Sequence, residues 1–342
     1  MSLKRPTIND VAADCGVSRA TVSLVLRDSP QIGEVTKARV RASMVRLGYV
    51  YNRRAADMRS QQSRMLGLVV TNVRNPYFAE LTMAIEEAAH DAGYTLVQGY
   101  SRDDVSRQRT LLESMTELRV DGLILLPAGG SAPEDLAPLA TAGVPHVLIT
   151  RSVPGYTADY VGADNIRAGR LIGEHLAALK VRSVAFLGGA HPSSSRDDRL
   201  KGVRAGLKEA GVVVSKGLSI AAVGEESGAD LLDVLLKRGD CPDAIVAYND
   251  MYAFGILYGL RDKGIEPGRD VAVASFDDVP DAVHQTPSLT SAAGHPELVG
   301  AKATALLLER LIPGDGQSRR ILIKPELLHR DSTSRWRERT AR

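Results

Sequence analysis

Two cysteines, one tryptophan and four phenylalanines are few for a chain of 342 residues. Cys15 and Cys241 can build no disulfide framework and have no short-range partners of the kind a zinc site needs. The seven histidines are scattered without ligand spacing, so no metal site is expected. No segment reaches about 18 uninterrupted apolar residues, which excludes an ordinary membrane-spanning helix. The opening MSLKRPTIND lacks the apolar core of a signal peptide. Catalytic signatures are also missing. There is no Gly-x-Gly-x-x-Gly after a strand, no phosphate loop ending in Gly-Lys-Ser/Thr, no Gly-x-Ser-x-Gly elbow and no His-Glu-x-x-His. These absences predict a soluble, cytoplasmic chain that is not an enzyme, with no catalytic residues and no cofactor.

What is present is unevenly distributed. The net charge of +2 hides a division: residues 1–64 hold 12 Lys and Arg against 5 Asp and Glu, and the other 278 hold 31 against 36. A basic head of this kind releases counterions on binding DNA, whatever the sequence. A disordered basic arm would lack apolar periodicity and helix caps. This head has both.

Residues 7–26, TINDVAADCGVSRATVSLVL, read as two short helices joined by a tight turn. Thr7 and Asp10 have capping-box spacing. Val11 and Ala12 give the first helix an apolar face, with Cys15 as a small buried residue, and Gly16 sits at the turn. Ser18 caps the second helix, whose inward face is Val22, Val25 and Leu26. A helix–turn–helix of this kind places its second helix in the DNA major groove. GEVTKARVRASMVRLG then reads as a third helix, with Val40, Met44 and Leu47 on one face and Gly48 as its stop. The basic link YVYNRRAADMRSQQSRM follows, with little apolar surface to bury.

From Met65 the pattern changes. MLGLVVTNV is a near-continuous apolar run, as in a parallel strand buried on both faces. Strands YTLVQGY, GLILLPAG, HVLIT, SVAFLGG, 219–223, IVAY and VAVASF then alternate with helices up to residue 263. Such alternation means a parallel doubly wound sheet. There are too many strands for one sheet of ordinary size, so two α/β lobes of about 130 residues each are expected. Ligands in such sheets bind beyond the carboxyl ends of the strands. The runs NVRNPYF, LLPAGG, AYNDM and ASFDD put polar residues at those ends, toward a cleft between the lobes. SSSRDDR at 193–199 reads as a loop capping a helix, with Arg199 available as a ligand clamp. At this level two other classes stay open: an enzyme on a two-lobe scaffold, and a transport-type ligand-binding protein.

The order and spacing of these motifs resemble the lactose-repressor (LacI/GalR) family of transcription regulators over roughly residues 6–331. TINDVAADCGVSRATVS is similar to its head signature and LGYVYNRRAADMR to its hinge. NPYFAEL, VDGLIL, GADN, VAFLGG, RLKGV, YNDM, FDD and SLTS follow in the family's order. The resemblance implies a helix–turn–helix domain at 1–50, a hinge at 51–64 and a periplasmic-binding-protein-like core at 65–342. Within that core, lobe one would span about 65–161 and 292–322, and lobe two about 162–290 and 323–331.

It also implies site residues. Arg19, Ala20 and Leu24 would face base edges, Arg19 toward guanine O6 and N7 and Leu24 toward a thymine methyl. Thr7, Ser18, Thr21 and Ser23 join them as DNA-binding residues, Thr21 and Ser23 holding phosphates. In the hinge, Asn52 and Arg53 would lie on DNA, with Met58 as a minor-groove wedge. Effector positions carried over are Tyr77, Phe78, Thr150, Ser195, Arg199, Val223, Asn249 and Asp277, with Arg199 and Asp277 binding hydroxyls of a sugar-like ligand. Three positions depart from the family: Val223 replaces a stacking aromatic, Thr150 an acidic residue and Gly294 a Gln. The implied partners are a pseudo-palindromic DNA operator, a small effector and a second copy of the chain, with no membrane. The tail RDSTSRWRERTAR has no leucine heptad for a tetramer.

Overall fold

The computed structural model describes residues 6–26, 28–49, 63–208, 211–212, 219–222, 226–239, 241–312, 314, 316–334 and 336. They divide into two units, Met1–Ser63 and Arg64–Arg342. The expectations for Asn52, Arg53, Met58 and Val223 lie outside the described residues.

The first unit holds three helices: α1 (Ile8–Cys15), α2 (Arg19–Leu26) and α3 (Glu34–Leu47). Thr7 and Asp10 form the capping box that opens α1, and Gly16 closes it at φ 62°. Ser18 Oγ accepts from Thr21 N at 3.1 Å and so caps α2. Gly48 ends α3 at φ 66°. Val11, Ala12, Cys15, Val22, Val25 and Val40 are buried together, with Leu26, Met44 and Leu47 packed against them. So small a core needs support at its margins. Asp14 binds Ser43 and Arg46, and the buried Lys37 ammonium bridges Asp28 at 3.0 Å and Glu34 at 3.1 Å.

The second unit is built on two six-stranded sheets. One has the order β11-β5-β4-β3-β1-β2 and the other β12-β10-β9-β8-β6-β7. The strands of the first half are β1 (Met65–Val70), β2 (Thr95–Tyr100), β3 (Gly122–Leu125), β4 (His146–Ile149) and β5 (Asp159–Ala163). Those of the second are β6 (Val184–Ala190), β7 (Ser219–Ala222), β8 (Ala244–Ala247), β9 (Ala272–Asp277) and β10 (Thr290–Ala293). β11 (Arg320–Ile323) returns to the first sheet and β12 (Glu326–Leu328) to the second. All pairings are parallel except β10 with β12. The two parallel-sheet lobes expected from the alternation are therefore present, and the chain passes between them after β5, β10 and β11.

The helices cover both faces of each sheet, which is why the strands read as continuous apolar runs. In β1, Leu66, Leu68 and Val70 face α4 (Pro76–Asp91) and α11 (Pro296–Arg310), while Val69 faces α5 (Val105–Glu117) and α6 (Ala137–Ala142). In the second lobe, Phe186 and Val246 pack under α7 (Asn165–Ala178) and α8 (Ser194–Lys208). Ile245 and Val273 pack under α9 (Gly228–Lys237) and α10 (Asp250–Asp262). The chain ends its regular structure in a short helix, α12 (Asp331–Ser334). The SSSRDDR run differs from its reading as a loop. Most of it is helical, because Asp197 N already bonds Ser193 O at 3.0 Å and α8 begins at Ser194. Among the described residues, no helix is long and apolar enough to cross a membrane, and no group of residues is arranged to hold a metal ion.

Candidate functional site

On the head, α2 carries the candidate base-reading face. Arg19 and Ala20 are exposed; Thr21, Ser23 and Leu24 are half-buried. Arg19 and Ser23, like Ala20 and Leu24, are four residues apart and so lie along one side of the helix. Arg19 has no ion-pair partner among the described residues. Thr7, Ser18 and Thr21 are already engaged in caps: Thr7 Oγ1 donates to Asp10 at 2.7 Å, and the Ser18 and Thr21 hydroxyls are 2.9 Å apart. These bonds fix where the helix amino termini point.

In the second unit, the carboxyl ends of β1, β2, β4, β6, β8 and β9 open onto one cavity of about 940 Å³ between the lobes. That is the size of a small-molecule site. Tyr77, Phe78, Thr150, Arg199, Asn249 and Asp277 all line it. Ser195 does not. It is buried, and its hydroxyl lies 2.8 Å from Tyr248 Oη, so it buttresses the wall from behind.

The centre of the lobe-two wall is a buried ion pair. Arg199 Nη2 donates to Asp277 Oδ1 at 2.9 Å, Nε to Asn165 Oδ1 at 2.8 Å and Nη1 to Tyr248 O at 2.6 Å. Its guanidinium lies over the Tyr248 and Phe276 rings, 4.9 and 4.7 Å from their centroids. Such saturation is what keeps a buried guanidinium tolerable. The helices that carry Asn165 and Arg199 touch backbone to backbone: a Cβ on Gly169 would collide with the Arg199 carbonyl oxygen, and one on Gly202 with that of Ile166. This contact lets the two side chains meet.

Asp277 sits at φ 104° and is followed by Asp278 at φ 53°, a turn no ordinary strand end adopts. Asp250 holds it from below. Its carboxylate accepts from Val279 N at 2.8 Å, from Ser291 Oγ at 2.7 Å and from Ser275 Oγ. Burial first, and the nearby Asp277 charge second, push the Asp250 carboxyl up to about 7. Burial also pushes Asp277 up, against the opposing pull of Arg199 and Asn75.

The lobe-one wall reaches across. Asn75 caps α4 through Tyr77 N at 3.0 Å, and its Nδ2 donates to Asp277 Oδ2 at 3.1 Å. Gly130 N to Pro192 O at 3.1 Å and Ser152 N to Ser194 Oγ at 2.9 Å also link the lobes. Thr150 stands at φ 62° with its Oγ1 buried beside Tyr77. Tyr77 is buried, edge-on to Phe78. Gly294, where the resemblance implies Gln, gives the Tyr77 ring its space: a Cβ there would lie 2.9 Å from Cε2.

Several lining residues were not singled out from the sequence: Asn75, Tyr100, Arg151, Tyr248 and Tyr252. Tyr248 and Asn75 lie inside quoted motifs, but nothing local marks either as a wall residue. The aromatic platform expected near residue 223 is not the only one available, because a chain with 4% aromatics places three further tyrosines on this cavity.

Comparison with known proteins gives matches over both units. Residues 7–52 match the profile of bacterial regulatory proteins of the lacI family, and residues 63–331 that of periplasmic binding proteins and sugar binding domains of the LacI family. The chain is 30% identical to the HTH-type transcriptional regulator DegA of Bacillus subtilis over 96% of its own length and 98% of DegA. It is 31% identical to the HTH-type transcriptional regulator CelR of Thermobifida fusca, covering 96% of this chain and 98% of CelR. Its fold is similar to that of the lac repressor dimer bound to operator and the anti-inducer ONPF. There the TM-score is 0.85 at 25% identity, covering 96% of this chain and 99% of that one.

Proposed function

The chain belongs to the lacI family of bacterial regulatory proteins, and on that premise we propose that it is a transcriptional repressor. In this reading it is a cytoplasmic homodimer and not an enzyme. It reads a pseudo-palindromic operator through its helix–turn–helix head and is controlled by a small hydroxylated molecule held between the lobes of its core. Its parts are the head at 1–50, the hinge at 51–64 and the core at 65–342. Arg19, Ala20 and Leu24 contact bases; Thr7, Ser18, Thr21 and Ser23 position the head on phosphates. Asn52, Arg53 and Met58 act from the hinge on the minor groove. In the core, Tyr77, Phe78, Thr150, Val223, Asn249 and Asp277 contact the ligand, Arg199 holds Asp277 in place and Ser195 supports Tyr248.

The observation that carries this reading is the union in one chain of a capped three-helix head and a two-lobe body with a cavity at its strand ends. Ligand binding favours one arrangement of the lobes, and that arrangement changes operator affinity. The lac repressor dimer, with operator and a small ligand bound together, supports the same coupling here. The test is selection of duplexes from a randomised DNA library by the full-length protein. Enrichment of a two-fold-symmetric site supports the reading. Recovery of no preferred duplex, with binding that depends on salt alone, contradicts it.

A further inference from the structure

The charge of the cavity wall narrows the ligand. Five arginines line it, at 74, 102, 107, 151 and 199, against three carboxylates, Asp103, Glu226 and Asp277. Two of the arginines are spent inside the protein: Arg199 on Asp277 and its other partners, and Arg151 on Asp103 and Pro127 O. Asp103 also accepts from Gly129 N at 2.9 Å, and the neighbouring Asp104 is occupied in capping α5. Arg74, Arg102 and Arg107 are left over. All three are exposed, all come from lobe one, and none has an ion-pair partner among the described residues. Three unpaired cations on one rim repel each other and concentrate anions at the mouth of the cleft.

A second observation lies deeper. At the end of β4, the family resemblance implies an acidic residue, which would repel an anion. This chain has Thr150, whose buried hydroxyl lies beside Tyr77 at the cavity wall. It can donate to a ligand oxygen where a carboxylate could not.

We propose that the ligand of this cleft is a polyhydroxylated anion, a sugar acid or sugar phosphate. Its carboxylate or phosphate lies on the Arg74, Arg102 and Arg107 rim, and its hydroxyls on Thr150, Asn249 and Asp277. This rests on the function proposed above and adds the charge class of the effector. Guanidinium groups suit it because they bind carboxylate and phosphate oxygens in pairs.

The test is calorimetric titration of the full-length protein with matched pairs: glucose against gluconate, glucuronate and glucose 6-phosphate, and ribose against ribose 5-phosphate. The expected result is that at least one anion binds roughly tenfold or more tighter than its neutral parent, the strength of a charge-assisted contact. That preference should shrink as NaCl is raised and disappear in the Arg102→Gln/Arg107→Gln variant. Carboxylates and phosphates, as separate arms, tell the two anionic groups apart. Equal or tighter binding of the neutral sugars, or no binding by any of the anions, overturns the anion assignment. The proposed function then still stands if a neutral sugar changes affinity for the selected duplex. It fails with the assignment if the protein selects no duplex.

Discussion

On the lobe-two wall of the cleft, Arg199 and Asp277 are buried and paired with each other, with Asp250 bracing the turn behind them, so the charges are satisfied before any ligand arrives. On the lobe-one wall, Arg74, Arg102 and Arg107 are exposed and without ion-pair partners among the described residues. The contrast follows from solvation. A buried charge must find its partner within the fold, whereas an exposed one is held by water until something better displaces it. One wall is therefore a rigid frame that presents a carboxylate at a fixed angle, and the other is the side that still has bonds to give. Asn75 is where the two meet, its amide on Asp277 across the cleft.

The comparison can be broken most forcefully at the frame. Arg199→Met removes three hydrogen bonds and two ring contacts and leaves Asp277 buried without its cation, so chemical denaturation should show a loss of about 3–5 kcal/mol. A loss below about 1 kcal/mol, the range of an exposed pair, would mean that the lobe-two wall is not a frame. The head provides a control remote in sequence. Arg19→Ala should cost about 1–3 kcal/mol at one operator position and relax specificity there. An equal loss on random duplexes would place Arg19 on phosphate alone.

Asn75→Ala should come next, at about 1 kcal/mol of stability from the lost α4 cap. Small-angle scattering should then show a more open core, since the bridge to Asp277 is gone. Asn75→Asp, which keeps the cap but turns a donor into a like charge facing Asp277, should open the core further. An unchanged scattering profile in both variants would remove the bridge from the account.

The remaining expected effect is a slope with pH. With its carboxyl raised to about 7 from an ordinary 3.8, Asp250 keeps its proton in the fold over a range where the unfolded chain releases it. Its contribution to stability therefore falls as pH rises from about 4 to 7. Asp250→Asn should lack that slope, so its melting temperature relative to the parent should improve between pH 5 and 8. Asp277, raised in the same direction, is common to both chains. Parallel melting curves across that range would show that Asp250 does not titrate there.

The head was legible in the sequence because its signals are local. Thr7 with Asp10, Gly16, Ser18 and Gly48 each act within a turn of where they stand, and each holds the conformation its type suggested. The two-lobe plan was legible from long apolar strands such as MLGLVV. The alternation faded after β9: β10 is Thr-Ser-Ala-Ala, with no large apolar residue, and β11 and β12 follow one another with no helix between them. The cavity was half legible. Asn249 follows β8 and Asp277 ends β9, strands that any reading would place. Arg151 and Asp250 owe their burial to contacts with segments 24 to 48 residues away, and no local pattern encodes that. Ser195 had the right address but faces Tyr248, a matter of side-chain packing alone.

The claim that matters most is that the cleft and the head are coupled. It is tested most directly by fluorescence anisotropy of the full-length protein on the duplex it selects from a random library, with and without saturating amounts of its tightest ligand from the sugar and sugar-anion panel. The account predicts a change in operator Kd of roughly 5- to 150-fold, the usual span of an allosteric coupling. An operator Kd unchanged by a ligand shown to occupy the cleft would contradict it.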